Sequence, residues 1–329
     1  MTSDHRSVGE LLSGIREDID AADRRIRPYV RETPFALSPN LSAALGATVM
    51  LKLENTQVTG SFKVRGAVNR LLSLPLSQRS LGVVTASTGN HGAAVAYAAH
   101  KLSMPCTVIV PAGASLTKVG AIRAWGAIIE EHGTDGLHAE LEARRRAAAS
   151  GLFYLSPYND PGVVAGQGTV GAELARQTER LDALFIAVGG GGLIAGTAAC
   201  LKALRPDLTV VGCSPEASKV MFESVRAGRI LDLPSEPTLS DGTAGGVESD
   251  AITFPLCRAL VDRWQLVSET DIAEAMRVAI DQDSQLIEGA AGVALAAART
   301  MAHEFPGGVI GVVLCGGNVG TATLRRVLC

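Results

Sequence analysis

The hydrophobic positions of this chain change period repeatedly, and the changes divide it into alternating elements. From Val8 to about Val30, Ile15, Ile19, Ala22 and Ile26 recur on one helical face with Asp and Arg elsewhere, which predicts an amphipathic helix stopped by Thr33-Pro34. Leu41–Leu45 reads as a short helix ended by Gly46, and Ala47–Leu53 as an apolar strand holding one lysine. Beyond it Val64, Ala67, Val68, Leu71 and Leu72 have helical spacing again, so Lys63 stands at a helix start. Further strands are predicted over Gly82–Ala86, Cys106–Val110, Ile128–Glu131, Ala183–Val188, Val210–Cys213 and Val309–Leu314. Helices are predicted over Ala93–Lys101, Leu116–Trp125, Leu137–Ser150, Leu193–Leu204, Ile272–Asp283 and Ala290–His303. Strands alternating with helices imply parallel sheets, so the fold class is α/β with two of them.

Composition narrows the function. A chain of 329 residues, 47% of them hydrophobic, can fill one large or two ordinary domains. A formal net charge of -3 argues against a nucleic-acid partner, and 4% aromatic residues leave few stacking platforms for single strands. No apolar run approaches a membrane span, and the opening Met1–Arg6 leads into a charged helix and not into an apolar signal core. The expectation is a soluble cytoplasmic protein. The six cysteines are scattered with no C-x-x-C pair, which suggests neither a zinc site nor a disulfide framework. The chain ends soon after its last glycine-rich segment, so no appended regulatory domain is expected.

Three glycine-rich segments fall at predicted strand ends, where open α/β sheets bind ligands: Ser87–Gly92, Gly189–Gly192 and Cys315–Asn318. Four consecutive glycines let backbone amides turn inward, and the helix that follows adds its positive end, an arrangement suited to phosphate. No Gly-Lys-Ser/Thr follows, which excludes a Walker loop. A plain tight turn is the alternative. A nicotinamide-dependent dehydrogenase is the rival from another class, with Gly189, Gly191 and Gly196 forced onto the dinucleotide fingerprint and Glu216 falling slightly late for its acid. The amides of Ser87–Gly92 suit a carboxylate; Asn90 can donate to a ring oxygen, and His91 reads as structural in preference to a catalytic base. Lys63 sits at the positive end of its helix, where the charged amine is disfavoured. A neutral lysine is a nucleophile that forms Schiff bases, although a surface lysine in an ordinary first turn explains the same residue. A Schiff-base lysine, a phosphate nest and a carboxylate loop together point to pyridoxal phosphate acting on an amino acid.

The motifs Leu53-Glu54-Asn55, Ser61-Phe62-Lys63-Val64-Arg65-Gly66-Ala67, Ser87-Thr88-Gly89-Asn90-His91-Gly92, the tetraglycine, Ile287-Glu288 and Leu314-Cys315-Gly316-Gly317-Asn318 occur in this order. With them the chain resembles, over nearly its whole length, the fold-type II pyridoxal-phosphate enzymes of the serine/threonine dehydratase branch, which includes serine racemase. The Thr-Gly-Ser-Phe-Lys and Ser-Thr-Gly-Asn-His-Gly variants look most like the ectoine-utilisation dehydratase subgroup.

The resemblance implies a tryptophan synthase β-like architecture, with a large cofactor-binding domain at 1–80 and 156–329, a small mobile domain at 81–155, and a homodimer. It implies that Lys63 carries the cofactor as a Schiff base, that Phe62 packs against the cofactor ring and that Asn90 bonds the ring hydroxyl. Gly189, Gly190, Gly191, Gly192 and Leu193 hold the phosphate, Cys315 faces the ring nitrogen, and Gly242 and Glu288 complete the cofactor set. Ser87, Thr88, Gly89, Asn90 and His91 hold the substrate carboxylate. Lys63 and Thr88 are the catalytic candidates, Thr88 standing where the racemases carry a serine. The implied activity is elimination from a β-hydroxy amino acid such as L-threonine or L-serine to a 2-keto acid and ammonia. The alternatives are an amino-acid racemase, or a dehydratase of hydroxylated diaminobutyrate, phenylserine or hydroxyaspartate. No metal is expected, because Ser214 and Val220 stand where metal-activated relatives carry acids.

Overall fold

The most apolar strand of the chain lies in the middle of its larger sheet. The computed structural model describes residues 8–329; Met1–Arg6, expected to lead into a helix and not a signal core, lies outside them. Among the described residues there are ten strands: β1 (Phe35–Leu37), β2 (Thr48–Lys52), β3 (Val83–Ala86), β4 (Cys106–Val110), β5 (Ile128–Glu131), β6 (Phe153–Tyr154), β7 (Ala183–Ala187), β8 (Thr209–Pro215), β9 (Arg263–Val267) and β10 (Val309–Val313). The six-stranded sheet has the order β1-β2-β10-β7-β8-β9, and the four-stranded sheet β5-β4-β3-β6. Every residue of β7 is buried, as a strand covered by helices on both faces requires. All pairings are parallel except β1 with β2, an antiparallel edge that the pattern around Thr33-Pro34 did not indicate. Among the described residues no helix is long and apolar enough to cross a membrane.

Parallel pairing puts the carboxyl ends of β2, β10, β7 and β8 along one edge of the large sheet. The carboxyl end of β3 in the small sheet leads into Ser87–Gly89. The helix after it starts at Asn90 and not at Ala93, so Asn90, His91 and Gly92 form its first turn. Helix Pro161–Gln177, which the sequence pattern did not reveal, runs beside Gly192–Lys202 and Lys63–Leu72. Asp160 caps it by accepting from the Val163 amide, and Pro161 occupies its first turn. Its glycines disguise it as a loop, yet they allow close crossing. A Cβ on Gly196 of the neighbouring helix would stand 2.3 Å from Val164 O and 2.7 Å from Gly168 N. Gly196 therefore serves helix packing and not a dinucleotide loop.

A fully buried set of charges fixes the helix that begins at Lys63. The Arg65 guanidinium donates to Glu54 Oε2 at 2.8 Å and Oε1 at 2.7 Å, and to Glu173 Oε1 at 2.7 Å and Oε2 at 2.8 Å. Lys52 Nζ donates to Glu173 Oε2 at 2.6 Å, Thr33 O at 2.7 Å and Gln177 Oε1 at 2.9 Å. Two cations and two carboxylates balance, so no net charge is left unpaired in the interior. The set ties β2, helix Lys63–Leu72 and helix Pro161–Gln177 together.

Candidate active site

Backbone stitching brings the lysine turn onto the end of β10. Phe62 N donates to Cys315 O at 3.1 Å, Gly317 N to Gly60 O at 2.9 Å, and Ser61 forms an antiparallel bridge with Gly316. Lys63 thus opens its helix beside Cys315, with Nζ 5.3 Å from the Phe62 ring centroid and donating to Pro157 O at 3.0 Å. Burial pulls its pKa down to about 8, against the opposing influence of Cys315 and Glu288. The sequence argument, from the helix end and desolvation, reached the same direction, and burial is the largest cause.

Beyond β7 the tetraglycine turns into helix Gly192–Lys202. Gly191 has φ +84°, open to glycine at no strain, and a Cβ on Gly190 would stand 2.3 Å from the Tyr158 ring. Thr253 Oγ1 donates to Gly190 O at 2.6 Å and Cys257 Sγ to Gly191 O at 3.9 Å, which holds these carbonyls on the helix Thr253–Leu260 side. The amides of Gly189, Gly190 and Gly191 donate to no protein acceptor among the described residues. Orphaned amides beside a helix N-terminus are the donor set an anionic phosphate needs.

The loop after β3 closes the other side. Asn90 Nδ2 donates to Glu288 Oε1 at 2.7 Å, and Asn90 Oδ1 accepts from Asn318 Nδ2 at 2.7 Å. Asn318 also donates to Thr59 O at 2.8 Å, so one chain of hydrogen bonds joins four separate segments of the chain. Burial raises the Glu288 carboxyl to about 7, opposed by the Asn90 hydrogen bond. His91 Nε2 meets Leu155 O at 3.0 Å; a carbonyl only accepts, so this nitrogen carries the proton. Burial, with Lys63 nearby, pushes the ring down to about 3, and His91 is a neutral strut. Burial also raises the Cys315 thiol well above its ordinary value, keeping it protonated.

All the expected site residues line one cavity of ≈ 940 Å³: Phe62, Lys63, Ser87 to His91, Gly189 to Leu193, Gly242, Glu288 and Cys315. The volume lies near the top of the usual range of about 300–1,000 Å³ for ligand sites, room for a cofactor and a substrate together. The sequence did not single out Tyr158, Pro157, Lys118 and Asp241, which line it too, as does Asn318 of the Cys315–Asn318 segment. Lys118 Nζ lies 2.5 Å from Asp241 Oδ2, and Arg144 Nη2 lies 2.6 Å from Glu248 Oε2; both pairs join helices of the small sheet to the stretch 229–252. Their only sequence signal was charge in loops and helix faces, where solvated charges are the rule. Ser214 Oγ donates to Val188 O at 3.2 Å and Val220 is buried, so neither offers a carboxylate.

An enclosed lysine amine, orphaned amides at a helix end and a protonated thiol beside the lysine fit pyridoxal phosphate. The comparisons agree. Residues 26–316 match the family model described as pyridoxal-phosphate dependent enzyme. A putative threonine dehydratase of Sinorhizobium fredii is 38% identical over 98% of this chain and 97% of its own. An L-threo-3-hydroxyaspartate ammonia-lyase of Pseudomonas sp. is 38% identical over 94% of this chain and 96% of its own. The structure of maize serine racemase superposes with a TM-score of 0.89 at 34% identity, covering 95% of this chain and 96% of that one. The chain belongs to the pyridoxal-phosphate-dependent enzyme family.

Proposed function

We propose that the protein is a dehydratase that converts a β-hydroxy amino acid such as L-threonine or L-serine to a 2-keto acid and ammonia. The observation that carries this reading is the Lys63 amine, enclosed with a pKa of about 8 in the cavity that the tetraglycine also lines. When bound, pyridoxal phosphate withdraws electrons from the substrate and acidifies its α-carbon. Lys63 holds the cofactor between turnovers and, once the substrate amine displaces it, takes the α-proton as general base. Pro157 O, which accepts from Nζ, orients the free amine. The Gly189 to Leu193 amides bind the phosphate, and Ser87 to His91 bind the substrate carboxylate. The β C–O bond then breaks, the proton taken up by Lys63 balances the departing hydroxide so that water leaves, and the released enamine tautomerises and takes up water to give keto acid and ammonia. The protonated Cys315 thiol does not hold a proton on the ring nitrogen as a carboxylate would, which favours rapid loss of the β-hydroxyl over slower side reactions.

Relatives named for threonine, hydroxyaspartate and serine racemisation leave the substrate as the finer part of this reading. Thr88 supports elimination over racemisation. It lines the cavity, and its hydroxyl sits on a β-branched side chain whose stiff χ1 leaves it less free than a serine to return a second proton. Incubating the holoenzyme with L-serine and L-threonine while following keto acid and D-isomer tests this. Keto acid is expected to form faster; faster D-isomer would make the protein a racemase. The same reading carries a cytoplasmic homodimer in which 81–155 closes as a unit on the large domain of 1–80 and 156–329.

A further inference from the structure

The cavity holds few charges, and each is already committed. Among the described residues that line it, the ionisable cations are Lys63 and Lys118 and the acids are Asp241 and Glu288. Lys63 belongs to the cofactor and donates to Pro157 O. Lys118 Nζ lies against Asp241 Oδ2 at 2.5 Å, at the solvent-exposed mouth of the cavity, with the two side chains 36% and 60% exposed. His91 adds no charge, since its Nε2–H is turned to Leu155 O and the ring stays neutral far below pH 7. Val58, Ala121, Trp125, Val319 and Ala322 line the cavity together with the uncharged Thr59, Ser115, Asn318 and Thr321. The first turn of helix Thr321–Leu328 reaches the cavity but brings no cation.

One substrate carboxylate has the amides of the loop after β3. A second would find no unmatched cation among the described lining residues: Asp241 neutralises Lys118, and Glu288, its carboxyl raised to about 7, brings no positive charge. Burying an ionised group without a partner is costly, and like charges add to that cost. A methyl or other uncharged β-substituent meets no such penalty. Resting on the dehydratase reading above, we propose that the site is built for β-hydroxy amino acids with a single carboxylate, and that Asp241 sets this preference by keeping Lys118 occupied. This separates the chain, in substrate class, from its relative named for hydroxyaspartate.

The test compares kcat/KM of the holoenzyme for L-threonine and L-threo-3-hydroxyaspartate at one pH and ionic strength. Threonine is expected to lead by about tenfold or more, the discrimination that ~1.4 kcal/mol gives. Asp241→Asn frees Lys118 and should narrow the ratio about threefold, the scale of a solvent-exposed charge pair, chiefly through a lower KM for hydroxyaspartate. Adding Lys118→Met to that variant should restore the wild-type ratio. Because both substrates are read on one preparation, any loss of cofactor beside Gly242 cancels. A wild-type enzyme that prefers hydroxyaspartate, or an Asp241→Asn change that scales both substrates alike, overturns the inference. If neither substrate yields keto acid, the dehydratase reading falls, and thermal shifts with the non-eliminating L-2-aminobutyrate and L-aspartate decide the charge preference alone. A larger shift with aminobutyrate supports it, and equal shifts sink it.

Discussion

Two lysines near each other in sequence show what makes one of them reactive. Burial lowers the pKa of both Lys52 and Lys63. Lys52 is fully buried, and its ammonium spends its three N–H groups on Glu173, Gln177 and Thr33 O. Lys63 faces a cavity, has the single acceptor Pro157 O, and lies within bonding distance of no carboxylate among the described residues. Enclosure therefore does not by itself create a nucleophile. The difference lies in whether the surroundings hold the proton on the amine or leave its lone pair room to act.

The sharpest way to break this comparison is to exchange losses between the two sites. Lys63→Ala is expected to abolish turnover with little change in melting temperature, whereas Lys52→Met should keep cofactor binding and lose ~3–5 kcal/mol in urea unfolding, the cost of breaking a buried pair. Peptide mapping after borohydride reduction should place the cofactor on Lys63; label on Lys52 would erase the distinction. A smaller effect should appear in pH. With its pKa lowered to about 8, the Lys63 amine is mostly charged below that pH and mostly neutral above it. Uptake of pyridoxal phosphate by the cofactor-free protein should rise about tenfold from pH 7 to 9 and then level off, as the neutral fraction does. A rise that continues to about pH 10.5 would mean that Lys63 is as unperturbed as a surface lysine. Cys315→Asp should slow elimination several-fold while leaving cofactor affinity nearly unchanged, because a carboxylate favours a protonated ring. Unchanged elimination would show that the thiol does not set the electronics. The smallest expected effect is that of a chelator: with Ser214 and Val220 at the positions in question, activity should not fall. Loss in chelator and recovery with magnesium would refute this.

What the sequence made legible follows from how local each signal is. The strand, glycine turn and helix around Gly189–Gly192 lie within one short window, and so does the Lys63 turn. Helix Pro161–Gln177 was hidden because its glycines weaken helix propensity, and only the neighbouring helices explain them. The edge strand β1 is too short to show a period. Asn318 belonged to a visible motif, yet its bond to Asn90 joins distant segments that no local pattern relates. The same holds for Lys118 with Asp241, and for Thr253 behind the tetraglycine. Arg65 stood in the lysine motif with nothing nearby to announce its second carboxylate, Glu173.

The small sheet, β3 to β6, is continuous in sequence, while the large sheet takes strands from both sides of it. Glu173 lies beyond that insertion, whereas Lys52, Glu54 and Arg65 precede it. During synthesis the insertion can pair its own strands at once, but the large unit must wait for long-range partners. Pro157, the tetraglycine, Glu288 and Cys315 all emerge after Lys63. On the ribosome, Lys63 therefore starts as an ordinary hydrated lysine with an ordinary affinity for protons. It becomes a base suited to neutral pH only when the far end of the chain arrives to enclose it.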